Sequence, residues 1–137
     1  MGKDILSHKG GDFTKQKFYI CNHCGNIISL IRDKGVPVYC CNEKMQEILP
    51  GTTEASEEKH IPVYRVEGCT VHVTVGSVEH PMTEEHYIEW ICLETEHGIQ
   101  YAHLSPTDKP KAKFALCGGD EVRGVWAFCN QHYLWRK

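Results

Sequence analysis

Cys129-Asn-Gln-His132 places a thiol and an imidazole three residues apart, and three upstream histidines stand in equally definite settings. They are His60, in Glu58-Lys59-His60-Ile61-Pro62-Val63, and His80 and His86, in His80-Pro81-Met82-Thr83-Glu84-Glu85-His86. Four imidazoles and one thiolate exceed by one the ligands of a tetrahedral structural zinc site. They suit a five-coordinate redox metal that keeps a sixth position for a reactant. Cys21-x2-Cys24 and the adjacent pair Cys40-Cys41 form a separate set able to close around another ion. One closed site and one open site imply an electron-transfer centre feeding a catalytic one.

Neither regular geometry brings His80 and His86 to one ion. On a helix they would point about 240° apart around the axis, and in a strand they would lie about 20 Å apart. Pro81 breaks the regularity and biases His80 to an extended conformation, which leaves a loop able to wrap a metal. The other histidines lack such neighbours. His72 and His103 sit inside strand patterns, His97 beside Gly98, His8 in a polar start and His23 between two thiols; all five read as ordinary surface or core imidazoles. Cys92 falls in an apolar strand and reads as a buried thiol, whereas Cys69 and Cys117, each beside a glycine, read as free thiols.

In the cysteine set, a two-residue spacer lets Cys21 and Cys24 face one ion across a tight turn. Cys40 and Cys41 have no spacer, and neighbours in a strand point to opposite faces, so the backbone must twist there. The strained tetrahedron that results favours iron. A zinc clip that only staples the module is the alternative, since an S4 set accepts either metal.

The elements that must position these ligands are strands. The chain has 137 residues and a net charge of −3. That charge, with a pI of 6.3, excludes nucleic acid as the main partner. No run approaches the ~18 apolar residues of a membrane span, and the start carries no apolar signal core. Eight cysteines without such a signal read as reduced metal thiolates in a cytoplasm rather than as disulfides. The ligand sets divide the chain into a flexible extension over 1–17, a metal module over 18–43, a linker over 44–56 and a β domain over 57–137. Within the module, strands are expected at Phe18–Cys21, Ile27–Ile31 and Val36–Tyr39. Beyond His60, alternating patterns predict seven short strands, among them Val71–Val75, Tyr87–Leu93, Ile99–Leu104 and Val122–Phe128. The expected class is all-β, a small metal module followed by an antiparallel β-sandwich.

Jointly these motifs resemble the desulfoferrodoxin family, the two-iron form of superoxide reductase, from about Phe18 onward. Cys21-x2-Cys24-Gly25-Asn26 with Cys40-Cys41 is similar to the desulforedoxin pattern. Glu58-Lys59-His60-Ile-Pro-Val, Val75-Gly-Ser-Val-Glu-His80-Pro-Met, His86-Tyr-Ile-Glu-Trp-Ile91 and Cys129-Asn-Gln-His132 resemble the catalytic domain. The extension before Phe18 and the longer stretch between Cys41 and Glu58 depart from the family pattern, but neither removes a ligand.

The resemblance implies a catalytic ferrous iron with equatorial imidazoles from His60, His80, His86 and His132 and an axial thiolate from Cys129. A second, rubredoxin-like iron is held by Cys21, Cys24, Cys40 and Cys41. It also implies an Ig-like sandwich, commonly a homodimer, and one-electron reduction of superoxide to hydrogen peroxide as a defence against oxidative stress. Rubredoxin is the family's usual electron donor. Lys59 is then the residue at the mouth that attracts the anion and orients a proton-donating water. Glu58 resembles the carboxylate that closes the sixth position of the ferric form. The rival reading is a non-enzymatic metal-binding or electron-carrier protein with a zinc- or iron-stapled module; it leaves five ligands and Glu58-Lys59 without a purpose.

Overall fold

The structure is a computed structural model that describes residues 16–137, so residues 1–15 of the expected extension lie outside the described residues. The chain forms two compact units that meet at the Leu49/Pro50 junction. Among the described residues no helix is long and apolar enough to cross a membrane.

Among the described residues the first unit contains five short strands: β1 (Phe18–Ile20), β2 (Ile27–Ile28), β3 (Tyr39–Cys40), β4 (Glu43–Lys44) and β5 (Gln46–Ile48). They make a three-stranded sheet in the order β2-β1-β5 and a separate β3-β4 hairpin. Its buried apolar residues among those described are Phe18, Cys21 and Met45, a small core for a segment this short, which a metal would staple. All three expected strands differ from the sequence pattern, β1 ending at Ile20 rather than Cys21. β2 stops at Ile28, and the expected Val36–Tyr39 strand begins only at Tyr39, because Pro37 has no N–H to give a ladder. The expected linker over 44–56 also differs from the structure. Its first part carries the end of β4 and all of β5, which pairs with β1 through Phe18↔Ile48 and Ile20↔Gln46. Met45 anchors that return through a backbone bond to Val38 O of 2.8 Å and its own burial.

The second unit opens with a single helical turn, α1 (Glu57–His60), which the strand pattern gives no sign of. Acidic residues at its start and basic ones at its end suit the helix dipole, and Pro62 prevents its continuation. Seven strands follow: β6 (Pro62–Glu67), β7 (Thr70–Val75), β8 (Ile88–Thr95), β9 (Ile99–His103), β10 (Lys111–Ala115), β11 (Val122–Cys129) and β12 (Tyr133–Arg136). They form two antiparallel sheets, β10-β7-β6 and β12-β11-β8-β9. Three strands facing four, with the chain crossing between sheets after β9, is an immunoglobulin-like sandwich. β7 shows its origin: Val71, Val73 and Val75 are buried while Thr70, His72 and Thr74 face outward. They meet Ile91 and Leu93 from β8 and Val125 and Ala127 from β11. Each such buried side chain contributes about 1.5–3 kcal/mol, which makes the two sheets the rigid support on which the histidines are mounted.

Candidate metal centres

The first cluster lies wholly in the first unit. Cys21 and Cys24 flank a knuckle closed by Gly25 N–H to Cys21 O and Cys21 N–H to Asn26 O, both 2.9 Å. Gly25 sits at φ +87°, where a side chain would be strained. Amide groups also point at the sulfurs, Cys24 N–H at Cys21 Sγ and Asn26 N–H at Cys24 Sγ, each 3.4 Å. The twist required of the adjacent cysteines is present. Cys41 and Asn42 have φ of +55° and +62° and form the two-residue turn between β3 and β4, the type I′ hairpin geometry. It swings Cys40 and Cys41 toward the knuckle, with Cys24 Sγ 3.6 Å and Cys41 Sγ 4.0 Å from Cys40 Sγ. A tetrahedron with metal–sulfur bonds of ~2.3 Å has edges of ~3.8 Å, so the set fits one ion. The Cys24 N–H draws the Cys21 thiol down to about 6, while hydrogen bonding to Cys24 pushes Cys41 up to about 12. Four crowded thiols lose their protons together only around a cation.

The second cluster lies in the second unit. His60 ends α1, and its Nδ1–H donates to Ser56 O at 2.7 Å. His80 donates Nδ1–H to Pro81 O at 2.6 Å. Each ring thus turns an unprotonated Nε2 inward, and the two nitrogens face each other at 3.2 Å. Two lone pairs at that separation repel, and a shared cation removes the repulsion. His86 Nε2 is buried without a hydrogen-bond partner among the described residues, as a nitrogen meant for a metal would be. His132 presents its other nitrogen, Nδ1, 3.9 Å from Cys129 Sγ.

The ring positions define a square. Neighbouring corners are His60–His80 at 4.6 Å, His80–His86 at 4.6 Å, His86–His132 at 5.2 Å and His132–His60 at 4.9 Å between centroids. His60 and His86 are 6.2 Å apart across the diagonal. Neighbouring rings are turned 73° to 89° from each other, like the blades of a propeller. Donor atoms of His60, His86, Cys129 and His132 lie within 4.8 Å of one another, and His80 joins them through His60 Nε2. All five residues expected from the sequence therefore converge, and a donor set of four imidazole nitrogens and one thiol sulfur would fit a redox metal such as iron. Burial depresses the His80 imidazole to about 4. His60 and His86 shift the same way for the same reason, and the Lys59 ammonium adds a small further push on His60. Burial raises the Cys129 thiol, opposed by the Gln131 and His132 N–H groups.

Glu58 and Lys59 are exposed on α1 beside His60. Their backbone is fixed by the 76–78 loop: Val78 N–H and Ser77 Oγ donate to Glu58 O at 3.0 and 3.3 Å, and Gly76 N–H donates to Ile61 O at 3.2 Å. Sequence reasoning passed over several residues that hold the ligands. Asn130 accepts Tyr87 N–H at 3.0 Å and donates to Glu85 O at 3.1 Å, and Gln131 donates to the same carbonyl at 2.7 Å. These bonds tie the His132 loop to the segment carrying His86; their signal was the position of Asn130 and Gln131 inside the Cys129-x2-His132 spacer. Trp135 stacks on His60 at 5.0 Å and donates its indole N–H to His132 O at 3.0 Å. Nothing in the sequence ties it to residues so far upstream.

His97 also gains neighbours, Asp120 at 3.4 Å and Glu96 at 4.0 Å. Arg123 already pairs with Glu96 at 3.3 Å, so this group reads as surface ion pairs. Cys69 and Cys117 are exposed free thiols, and Cys92 is a buried one, as expected.

The family model for desulfoferrodoxin matches residues 52–137. A desulfoferrodoxin of Clostridium acetobutylicum is 40% identical over 118 residues, covering 86% of this chain and 92% of that protein. A desulfoferrodoxin homolog of Archaeoglobus fulgidus is 42% identical over 86% of this chain and 93% of its own. Among solved structures, the superoxide reductase from Treponema pallidum superposes with a TM-score of 0.77 at 40% identity, covering 90% of this chain and 98% of its own. With the second unit matched almost end to end and relatives similar through both units, the chain belongs to the desulfoferrodoxin family.

Proposed function

We propose that this protein is a superoxide reductase: one superoxide anion, one electron and two protons give one hydrogen peroxide, with no dioxygen released. The observation that carries the reading is the convergence of four imidazoles and a single thiol on one spot, one donor more than a tetrahedral structural metal site needs. His60, His80, His86, His132 and Cys129 would hold a ferrous iron, which would supply the electron. The chain's own groups do the rest. Ser56 O and Pro81 O fix the tautomers of His60 and His80, and such outer partners normally govern ligand orientation and affinity. The Cys129 thiolate would donate charge to the metal it helps to hold, as cysteine ligands do in some haem enzymes. Lys59, exposed beside His60, would attract the anion and hold a proton-donating water, and the neighbouring Glu58 carboxylate would close the site after turnover.

Cys21, Cys24, Cys40 and Cys41 hold a second iron for electron transfer. Rubredoxin serves as donor, and the protein works as a cytoplasmic homodimer in detoxification of superoxide. A zinc-stapled carrier would leave the buried, unpartnered His86 Nε2 without a purpose. Elemental analysis with a visible spectrum tests the metal assignment: two irons per chain and a coloured protein are expected, and a colourless zinc protein refutes it.

A further inference from the structure

The outer face of the β10-β7-β6 sheet has a charge unlike that of the chain. Register places Val63, Thr74 and Lys111 in one row across it and Arg65, His72 and Lys113 in the next. These residues line an open groove of about 810 Å³ that ends at Gly76 and Ser77. Arg65 and His72 both pair with Glu67 at 3.2 Å, at the end remote from Gly76. Lys111 and Lys113 are exposed and have no ion-pair partner among the described residues. In a chain of net charge −3 this face is a local reversal of sign.

The groove is also wired to the histidine site. β7 leaves it at Val75, whose carbonyl accepts His80 N–H at 3.2 Å. The next residue, Gly76, donates its N–H at 3.2 Å to the carbonyl of Ile61, the residue after His60. His80 and the segment that carries His60 are therefore each reached from the groove through one backbone hydrogen bond.

We propose that this groove docks an acidic one-electron carrier protein that re-reduces the histidine–cysteine centre, an inference that rests on the reductase reading above. A protein fits better than a small anion, because the cations are spread along a sheet face instead of converging. Val63, 41% exposed, supplies an apolar contact inside a charged rim, the usual anatomy of such interfaces. The exchange balances simply: one electron leaves the carrier's reduced centre, the oxidised centre of this protein takes it, and no bond forms or breaks.

The test uses the iron-loaded full chain, its Lys111→Glu/Lys113→Glu variant and a Lys111→Arg/Lys113→Arg control, with rubredoxin as the probe. Reversing both charges should weaken rubredoxin binding, followed by NMR, and slow its oxidation about tenfold or more at low ionic strength. The difference should shrink as salt is added, the arginine control should match the parent, and the direct reaction with superoxide should not change. Rubredoxin bound and oxidised equally well by the reversed variant overturns the proposal. A superoxide reaction that slows in step with rubredoxin oxidation also overturns it, since the lysines then act on the small anion. So does a change in sedimentation from dimer to monomer with donor kinetics intact, which makes the face a contact between copies. A parent that fails to react with superoxide refutes the reductase function instead, and rubredoxin binding still decides the docking.

Discussion

Gly76 is the residue whose replacement should do most damage at least chemical cost. It lies at φ +88°, and a Cβ built on it would sit 2.2 Å from Val78 O and 2.8 Å from both Glu58 O and Lys59 O. All three are backbone atoms, so no side chain can rotate away. An L-residue at that φ costs about 1–2 kcal/mol. Relief of the clash needs a shift of about 1 Å, which stretches Gly76 N–H to Ile61 O and Val78 N–H to Glu58 O, each worth about 1 kcal/mol. Gly76→Ala should therefore destabilise the second unit by about 3–4 kcal/mol. For a domain of this size that lowers the melting temperature by roughly 15 °C or more. The same shift moves α1, so the ferric spectrum should change through His60 and Glu58. Calorimetry and visible spectroscopy of the iron-loaded variant measure both. A Gly76→Ala protein with parental melting temperature and spectrum would show that the loop does not fix α1.

Three further outcomes are expected. Cys41→Ser should abolish the tetrathiolate spectrum yet leave the superoxide reaction intact with an artificial reductant, because the two ligand sets share no residue; loss of both in a folded protein would make the first iron essential to the chemistry. Lys59→Ile should slow the second-order reaction with superoxide by roughly tenfold at low salt and flatten its ionic-strength dependence, whereas Glu58→Ala should alter only the ferric product; pulse radiolysis at several salt concentrations separates them. In the metal-free protein, burial depresses His80 to about 4 and lowers His60 and His86. Below the ordinary histidine value the unfolded chain then takes up protons that the folded one refuses, so stability should fall as pH drops from about 6.5 toward 4. Denaturant midpoints read this, and a flat profile across that window would contradict the burial argument.

The ligands were legible because metal chemistry selects residue types and local spacing, both of which survive in the sequence. Cys21-x2-Cys24 and Cys129-x2-His132 are the clearest cases. Strand β7 was the most legible because one of its faces is buried and the other is not, as the alternation in Thr70–Val75 shows. What stayed hidden depends on contacts distant along the chain. β5 lies in a polar stretch and exists through its ladder with β1. α1 is one turn long, too short for any periodic signal, and is held by the 76–78 loop. The order of the imidazoles around their square follows from how the sheets place three separate segments, and Trp135 reaches His60 only through that arrangement.

The most direct measurement is pulse radiolysis of the reduced, iron-loaded protein with simultaneous assay of peroxide and dioxygen. One peroxide per catalytic iron oxidised, with no dioxygen, is the predicted result. Iron-loaded Cys129→Ser, measured alongside, should lose that reaction while keeping its four imidazoles. Dioxygen released in step with peroxide, or undiminished turnover without the Cys129 thiolate, would contradict superoxide reduction at this centre.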